Sequence, residues 1–394
     1  MSAADDSPIE NVEQAANDDL TKLAEELVEK MSPSLSSMTS TPSLESMTPR
    51  DAIDKYFRTR NLPNGTANTH RSSLYNHFLV WCDEVRGIDD MSELTGSDIA
   101  EYRVWRREVA PTKVEKLAPK SEETQQKILR VFIKRCESWG VVAPNLRKYV
   151  IIPKLSRSDE VREEFLDSET AKHILDWLGR YEYASLHHVV WFLCAESGAR
   201  LGGVHSLDVD DYVPEREGGY LKLRHRPETG TTLKNGEEGE RNVSISSRLC
   251  EVLDDYLEDK RVDQTDDFDR EPLLTTVHGR LSKSTIRNYF YAWTRPCATG
   301  SGCPYGRDPR ECEGAQRNNW AFKCPDSLST HPVRKGYITA ELKGGVPQTV
   351  LSERCDVSEK ILEKHYDHRT EQEKMQVRRE MMKMSRKMGR GYGE

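Results

Sequence analysis

The chain has 394 residues, of which 36% are hydrophobic and 31% charged, and a formal net charge of −8. This length allows two or three domains with sizeable cores, the composition reads as soluble and globular, and no apolar run reaches membrane-spanning length. Nine cysteines, in a chain that opens without a secretory signal, argue against a disulfide framework and for a cytoplasmic address.

The acidity is unevenly spread. Residues 1–50 carry ten Asp or Glu against three Lys or Arg, whereas residues 51–155 carry eighteen bases against fourteen acids. Within the acidic stretch, Leu20, Leu23 and Leu27 recur at helical spacing between Ile9 and Met31, which suits either an amphipathic partner helix or a marginal helix on a tail. Ser32–Thr48 is rich in Ser, Thr, Met and Pro and reads as a linker, so residues 1–47 form an acidic extension.

Thr48-Pro-Arg-Asp51 is a helix start, followed by Ile53, Tyr56 and Phe57 on one face. Leu74, Phe78 and Trp81 mark a second helix, Ile99, Tyr102 and Trp105 a third, and Ile128, Phe132, Ile133 and Cys136 a fourth. Residues 48–143 therefore read as a small all-α domain. Its bases Arg71, Arg103, Arg106, Arg107 and Lys120 can neutralise phosphates, although such runs are more often plain solvated faces. Residues 144–162 combine prolines, bases and an extended Tyr149-Val-Ile-Ile152 run, as in an interdomain strap.

Residues 163–370 then form a second domain. Glu163–Tyr183 and Ser185–Ser197 read as helices, the latter densely apolar, and Arg200 follows it within Gly198-Ala-Arg200-Leu-Gly-Gly-Val-His-Ser-Leu207. An Arg beside such neighbours needs an anion, and an ion pair with Asp208 or Asp210 is the plainer alternative to a ligand. Tyr220–Arg224 and Arg241–Ile245 alternate as short strands around Lys234-Asn-Gly236, and Leu249–Lys260 returns to helical periodicity. Residues 294–325 interrupt the pattern with Cys297, Cys303, Cys312 and Cys324 among Gly, Pro and charges. Four thiolates suit a structural zinc, but the intervals do not match paired Cys-x-x-Cys knuckles, so reduced free cysteines are the alternative.

The stretch Ser329–His368 carries the chemistry. His331 and Arg334 lie three apart at a helix start and so share a face, and Tyr366 follows about thirty residues later. Two guanidiniums can grip the nonbridging oxygens of a phosphodiester, a histidine can take the proton of a phenol, and a lysine can supply one to a leaving oxygen.

In their order Arg200, Lys234, His331, Arg334 and Tyr366, these residues resemble the catalytic domain of the tyrosine recombinase, or phage integrase, family. The resemblance covers roughly residues 50–370. It implies a helical core-binding domain that clamps double-stranded DNA, and a mixed, mostly α catalytic domain with a small antiparallel sheet. It also implies that Lys234 enters the minor groove, with Lys222 on the first strand as fallback. Tyr366 would attack the phosphate between the Arg200 and Arg334 clamp, giving a 3′-phosphotyrosyl link without ATP or a catalytic metal. Two departures stand out. Ser352-Glu-Arg-Cys-Asp356 lacks the usual His or Trp, leaving Arg354 as the nearest donor. Gly203 occupies a place often acidic, so the motif itself does not identify what orients the clamp.

Residues 371–394 form a basic tail with Met375, Met381, Met382, Met384 and Met388, suited to docking on a neighbouring subunit or to touching DNA. The expectation is a site-specific DNA recombinase or integrase that self-associates on DNA, with room for an accessory DNA-bending protein. Its rivals are a type IB topoisomerase-like nicking-closing enzyme and a noncatalytic zinc-containing DNA-binding regulator.

Overall fold

The computed structural model describes residues 43–110, 117–156, 159, 164–367 and 369–389. The helix expected over Ile9–Met31, the linker up to residue 42 and His368 lie outside these residues. The chain divides into two compact units, Met1–Arg162 and Glu163–Glu394. Among the described residues no helix is long and apolar enough to cross a membrane.

The first unit is built from helices. Thr48 caps α1 (Pro49–Arg58) by accepting the Asp51 N–H at 3.1 Å, and the proline at the first turn has no N–H to leave unsatisfied. Helix α2 (Asn64–Ser73) continues through wide π-type turns over Leu74–Leu79 and Trp81–Arg86, and Gly87 ends it at φ 67°. A capping box of Thr95 and Asp98 starts α3 (Gly96–Glu108), and α4 spans Pro119–Ser138. Their apolar faces meet around Phe78, whose ring meets Tyr102 and Phe132 edge-on with centroids 5.6 Å apart. Burying each such ring contributes about 2–3 kcal/mol, far more than the helix propensities involved.

The polar surface of this unit differs from the sequence reading in one residue. Arg106 is buried, not exposed to phosphates, because it lies one turn beyond buried Tyr102 on the inward face, and one terminal nitrogen meets His77 Nε2 at 3.2 Å. Arg103 is held by Glu122 at 2.7 Å. The strap begins inside the unit, since Leu146 and Val150 are buried and Arg130 Nε donates to the Val150 carbonyl at 3.1 Å. Residues 45–47 dock here too: the Met91 N–H donates to the Met47 carbonyl at 2.8 Å and the Glu45 N–H to Gly140 at 2.9 Å.

In the second unit, α5 (Ser168–Tyr181) and α6 (Leu186–Ser197) lead into the short α7 (Leu201–Ser206). Helix α6 is buried along most of its length, and Val189, Val190, Trp191 and Leu193 share one core with Leu221, Leu223 and Val243 of the sheet. That sheet is antiparallel, with β1 (Tyr212–Glu215), β2 (Gly218–Leu223) and β3 (Arg241–Ile245) in spatial order. Leu221 stands opposite both Tyr212 and Val243. Strand β1 is absent from the sequence reading because Pro214 breaks the alternation; as an edge strand it tolerates the missing donor.

Helix α8 (Ser247–Asp255), a two-residue pairing of β4 (Thr275–Thr276) with β5 (Gly279–Arg280), and α9 (Lys283–Trp293) follow. The unit closes with α10 (Thr330–Lys343), α11 (Gln348–Cys355), α12 (Glu359–His365) and α13 (Glu371–Gly389). Buried carboxylates fix the base of the β2–β3 connection. Asp208 accepts from Arg270 at 2.6 Å and Arg280 at 2.5 Å, and Asp211 from Arg226 at 2.7 Å. Helix α10 passes so close to the chain entering the unit that a β-carbon at Gly336 would stand 1.9 Å from the Leu166 carbonyl oxygen.

Candidate active site

Three turns converge on one pocket. Gly198 ends α6 at φ +59°, where a β-carbon would strike the Tyr337 ring, and this reversal delivers Arg200 to the start of α7. The N-terminus of α10 supplies His331 and Arg334. The β2–β3 connection folds over them and supplies Lys234. The resulting pocket has a volume of about 360 Å³, and its lining includes Arg200, Lys234, Arg241, Lys283, His331, Arg334 and Asp356.

Five cationic side chains thus face a single carboxylate. Arg200 is not paired with Asp208 or Asp210, since Arg270 and Arg280 occupy Asp208; its Nη1 is bonded to Asp356 Oδ2. The other Asp356 oxygen accepts from Asn235 Nδ2 at 2.7 Å, tying the hairpin to the clamp. Asp356 has a left-handed backbone, φ +50°, which reverses the chain after α11 and turns its carboxylate toward Arg200. Asp356 thus supplies beside Arg200 the carboxylate that Gly203 cannot.

Arg334 is only 4% exposed. Its Nη1 donates to the Gly198 carbonyl at 2.5 Å and Nη2 to the Cys355 carbonyl at 2.6 Å, while Nε is buried without a partner among the described residues. Burial and the nearby Arg200 disfavour its charge, whereas Cys355 and Tyr366 favour it. A buried cation with an unused donor, beside other cations, is stabilised by an arriving anion.

Arg241 is a third guanidinium, which the sequence reading missed. Its Nε donates to the Arg354 carbonyl and Nη1 to the Gly239 carbonyl, each at 2.7 Å. Burial brings its pKa down to about 10, with Arg334 and Arg200 acting in the same direction against Asp356. A signal for it existed, because Arg241 precedes buried Val243 and Ile245 at alternate positions of β3 and so shares their inward face. Lys283, at the start of α9, is a second missed cation. It has no ion pair or hydrogen bond among the described residues, and burial lowers its pKa from the usual lysine value.

His331 stands at the pocket rim. Desolvation by the surrounding protein, then the charges of Arg334, Lys335, Arg200 and His365, all lower its proton affinity, so the imidazole is neutral at pH 7 and can accept a proton. Lys234 is exposed on the hairpin and lines the same pocket.

Arg354 does not line the pocket. Its guanidinium turns the other way, bonding Tyr337 Oη at 2.7 Å, the Ser244 carbonyl at 2.9 Å and the Glu196 carbonyl at 3.2 Å. With its donors spent on β3 and α6, it fixes the end of α11 and offers nothing to a ligand. Tyr366 is 5% exposed and packs with Ile338, Leu342, Leu351 and Leu362, beside the pocket but outside its lining. Its phenol is close enough to Arg334 to act on that guanidinium.

No protein-family model matches the sequence, and no curated protein matches it. Solved structures do match. The Tn1549 transposon integrase in complex with a circular intermediate DNA is similar at a TM-score of 0.58 and 12% identity, over 85% of this chain and 100% of that one. A lambda integrase dimer bound to a COC′ core site gives 0.54 and 16%, over 86% and 83% of the two chains. A lambda integrase tetramer bound to a Holliday junction gives 0.54 and 15%, over the same shares. What these likenesses establish is the fold.

Proposed function

We propose that this chain, folded as integrases are, is a tyrosine recombinase: it breaks and rejoins double-stranded DNA at specific sites through a phosphotyrosine link. The observation that carries the proposal is the convergence of Arg200, Arg241, Arg334, Lys234 and Lys283 on one pocket with a single carboxylate, a neutral histidine at the rim and a buried tyrosine alongside. Such a pocket is electrostatically incomplete without a polyanion.

With a phosphodiester in the pocket, Tyr366 Oη attacks phosphorus and forms a P–O bond, and the bond to the 5′ oxygen breaks. The phenol's proton passes to His331 Nε2 or Nδ1, whichever is unprotonated, and Lys234 gives a proton to the departing 5′ oxygen. Arg200 and Arg334, with Arg241 beneath them, neutralise the charge that builds on the nonbridging oxygens. Bond energy is retained in the 3′-phosphotyrosyl ester, so a free 5′ hydroxyl can reverse the step and join a new strand. Tyr366 is 5% exposed with its phenol beside Arg334, so its attack requires the phosphate to be drawn in against that guanidinium.

DNA contact in the first unit belongs to this proposal, motivated by the eighteen bases against fourteen acids over residues 51–155. Self-association on DNA is part of the same proposal, in line with the dimeric and tetrameric lambda integrase assemblies. The experiment is to offer nicked duplexes tiled across the DNA flanking the chain's own coding sequence and to look for protein-linked strands. Exchange between two duplexes is expected; relaxation of supercoiled plasmid without exchange would make it a nicking-closing enzyme of the same chemistry.

A further inference from the structure

Between Thr294 and Ser327 the chain has almost nothing apolar to hold it. Ala321 is the only buried hydrophobic side chain in this stretch, which otherwise runs through short helical turns and loops with Tyr305 and Phe322 exposed and Trp320 half-buried. A loop of this length needs some other constraint to keep one shape.

The cysteines fall into two groups. Cys82, Cys136, Cys194, Cys250 and Cys355 are buried in the cores, whereas Cys297, Cys303, Cys312 and Cys324 are half-buried. All four of the latter, though separated by up to 27 positions, line one cavity of about 20 Å³ inside the loop. That is about the room of one water-sized sphere. Cys297 lies within electrostatic reach of both Cys303 and Cys324. A β-carbon at Gly314 would stand 3.0 Å from the Cys324 nitrogen, so the limb that carries Cys312 runs close against the one that carries Cys324.

We propose that Cys297, Cys303, Cys312 and Cys324 hold a structural zinc ion that fixes this loop. Zinc takes four thiolates in a tetrahedron at Zn–S distances near ~2.3 Å. Each thiol releases its proton to solvent as its bond to the metal forms. As the side chains stand, no three His, Cys, Asp or Glu residues among those described are drawn together tightly enough to hold an ion, and binding one requires the four thiols to turn inward about their Cα–Cβ bonds. The resulting cluster carries a charge of about −2, and two guanidiniums line the same cavity to balance it, Arg295 and Arg307. Arg295 is itself buried and pinned, donating to the Ala292 carbonyl at 2.9 Å and to the Gly314 carbonyl at 2.6 Å. None of the four cysteines lines the active-site pocket, so the metal holds structure and takes no part in bond cleavage. The proposal is independent of the nucleophile assignment.

The test uses the full chain, purified under reducing conditions with zinc present and then desalted. About one zinc per chain is expected by elemental analysis, and cobalt exchanged into the site should show the intense thiolate-to-cobalt absorption and the d–d bands of a tetrahedral centre. Cys303→Ser and Cys312→Ser should each lose the bound metal and lower Tm by more than about 2 °C, the shift typical of ~1 kcal/mol at this size. Cys82→Ser, outside the loop, should keep the metal. Titration of thiols in native protein should count four more reactive groups after chelation than before. Metal-free protein with the same four thiols reactive with or without chelator, and Tm unmoved in both loop variants, would overturn the site; so would loss of reactive thiols that only a reductant restores, which would mean disulfides.

Discussion

Arg200 and Asp356, 156 residues apart, are joined by an ion pair at the floor of the candidate active site. The pair does two things at once. It aims a guanidinium into the pocket, and through Asn235 it fastens the hairpin that carries Lys234. Asp356→Asn keeps the shape and tolerates the left-handed backbone, since Asn adopts that region readily. Cleavage in single turnover should slow by about 10²-fold, because a misaimed clamp costs that much, while affinity for DNA changes little. An unchanged rate would mean that the carboxylate serves folding alone.

Arg241→Gln should separate the third guanidinium from a merely structural residue. It removes the charge while keeping a donor for one of the two carbonyls that Arg241 now bonds. The expected result is adduct formation slowed by about 10² or more, as for loss of a transition-state hydrogen-bond donor. Arg354→Gln serves as the contrast: it should lower Tm, because its donors hold β3 and α6, and leave the rate within a few-fold at permissive temperature. Equal rate losses in both variants would remove Arg241 from the chemistry.

These two residues also show how far the sequence can be read. The helices of the first unit were legible because aromatic and aliphatic residues at helical spacing are what buries them, as Tyr56, Phe78, Tyr102 and Phe132 do. His331 and Arg334 were legible because three-residue spacing at a helix start survives folding unchanged. Arg354 and Asp356 were not, because they flank the end of α11, where a single left-handed residue decides which of them faces the pocket. Arg106 looked like one base in a solvated run, yet shares the inward face of α3 with Tyr102. Lys283 sits far from the motif residues in sequence, and only the packing of α9 beside α7 brings it in.

The rate should depend on pH through His331. Its neighbours hold its pKa below the usual ~6.5, so the base is ready at neutral pH. The second-order rate constant for adduct formation should be flat above about pH 6.5 and fall below the depressed value as the imidazole takes up a proton. Saturating DNA brings a phosphate beside the ring, which favours the imidazolium and should move this acid limb upward. His331→Gln should abolish the limb in both regimes. A limb that persists in this variant would assign it to another group.

Two histidines, His188 buried and His205 half-buried, predict the pH dependence of stability. His188 and His205 are held down to about 4 by burial first, with neighbouring cations acting in the same direction. Their neutral forms cost nothing above the unfolded value near ~6.5. As pH falls toward about 4, the unfolded chain gains protons that the folded one refuses, so stability should decline across this window. His188→Gln should flatten the decline measured by urea unfolding of the metal-loaded chain; an identical slope would discount His188.

Affinity for DNA should fall steeply with salt, since phosphate contacts release counterions. Residues 1–42 add acidity and lie outside the described residues, whereas residues 45–47 dock on the first unit. Deleting 1–42 should therefore preserve or strengthen binding with the same salt slope, whereas deleting 1–47 should also cost stability. Fluorescence anisotropy over a salt series distinguishes these outcomes, and a flat slope in all proteins would remove the electrostatic account.

The most direct measurement concerns Tyr366. A neutral phenol is a poor nucleophile, so the account requires the clamp and the histidine around it. Tyr366→Phe removes one oxygen and keeps the ring's packing against Ile338, Leu351 and Leu362. Tyr337→Phe is the control, because Tyr337 packs at Gly198 and its hydroxyl accepts from Arg354 at 2.7 Å. Both proteins are incubated with a nicked suicide duplex and separated by denaturing electrophoresis. The account predicts a covalent protein–DNA band from the wild type and the Tyr337→Phe protein and none from Tyr366→Phe, at equal DNA affinity. A band from Tyr366→Phe would contradict it.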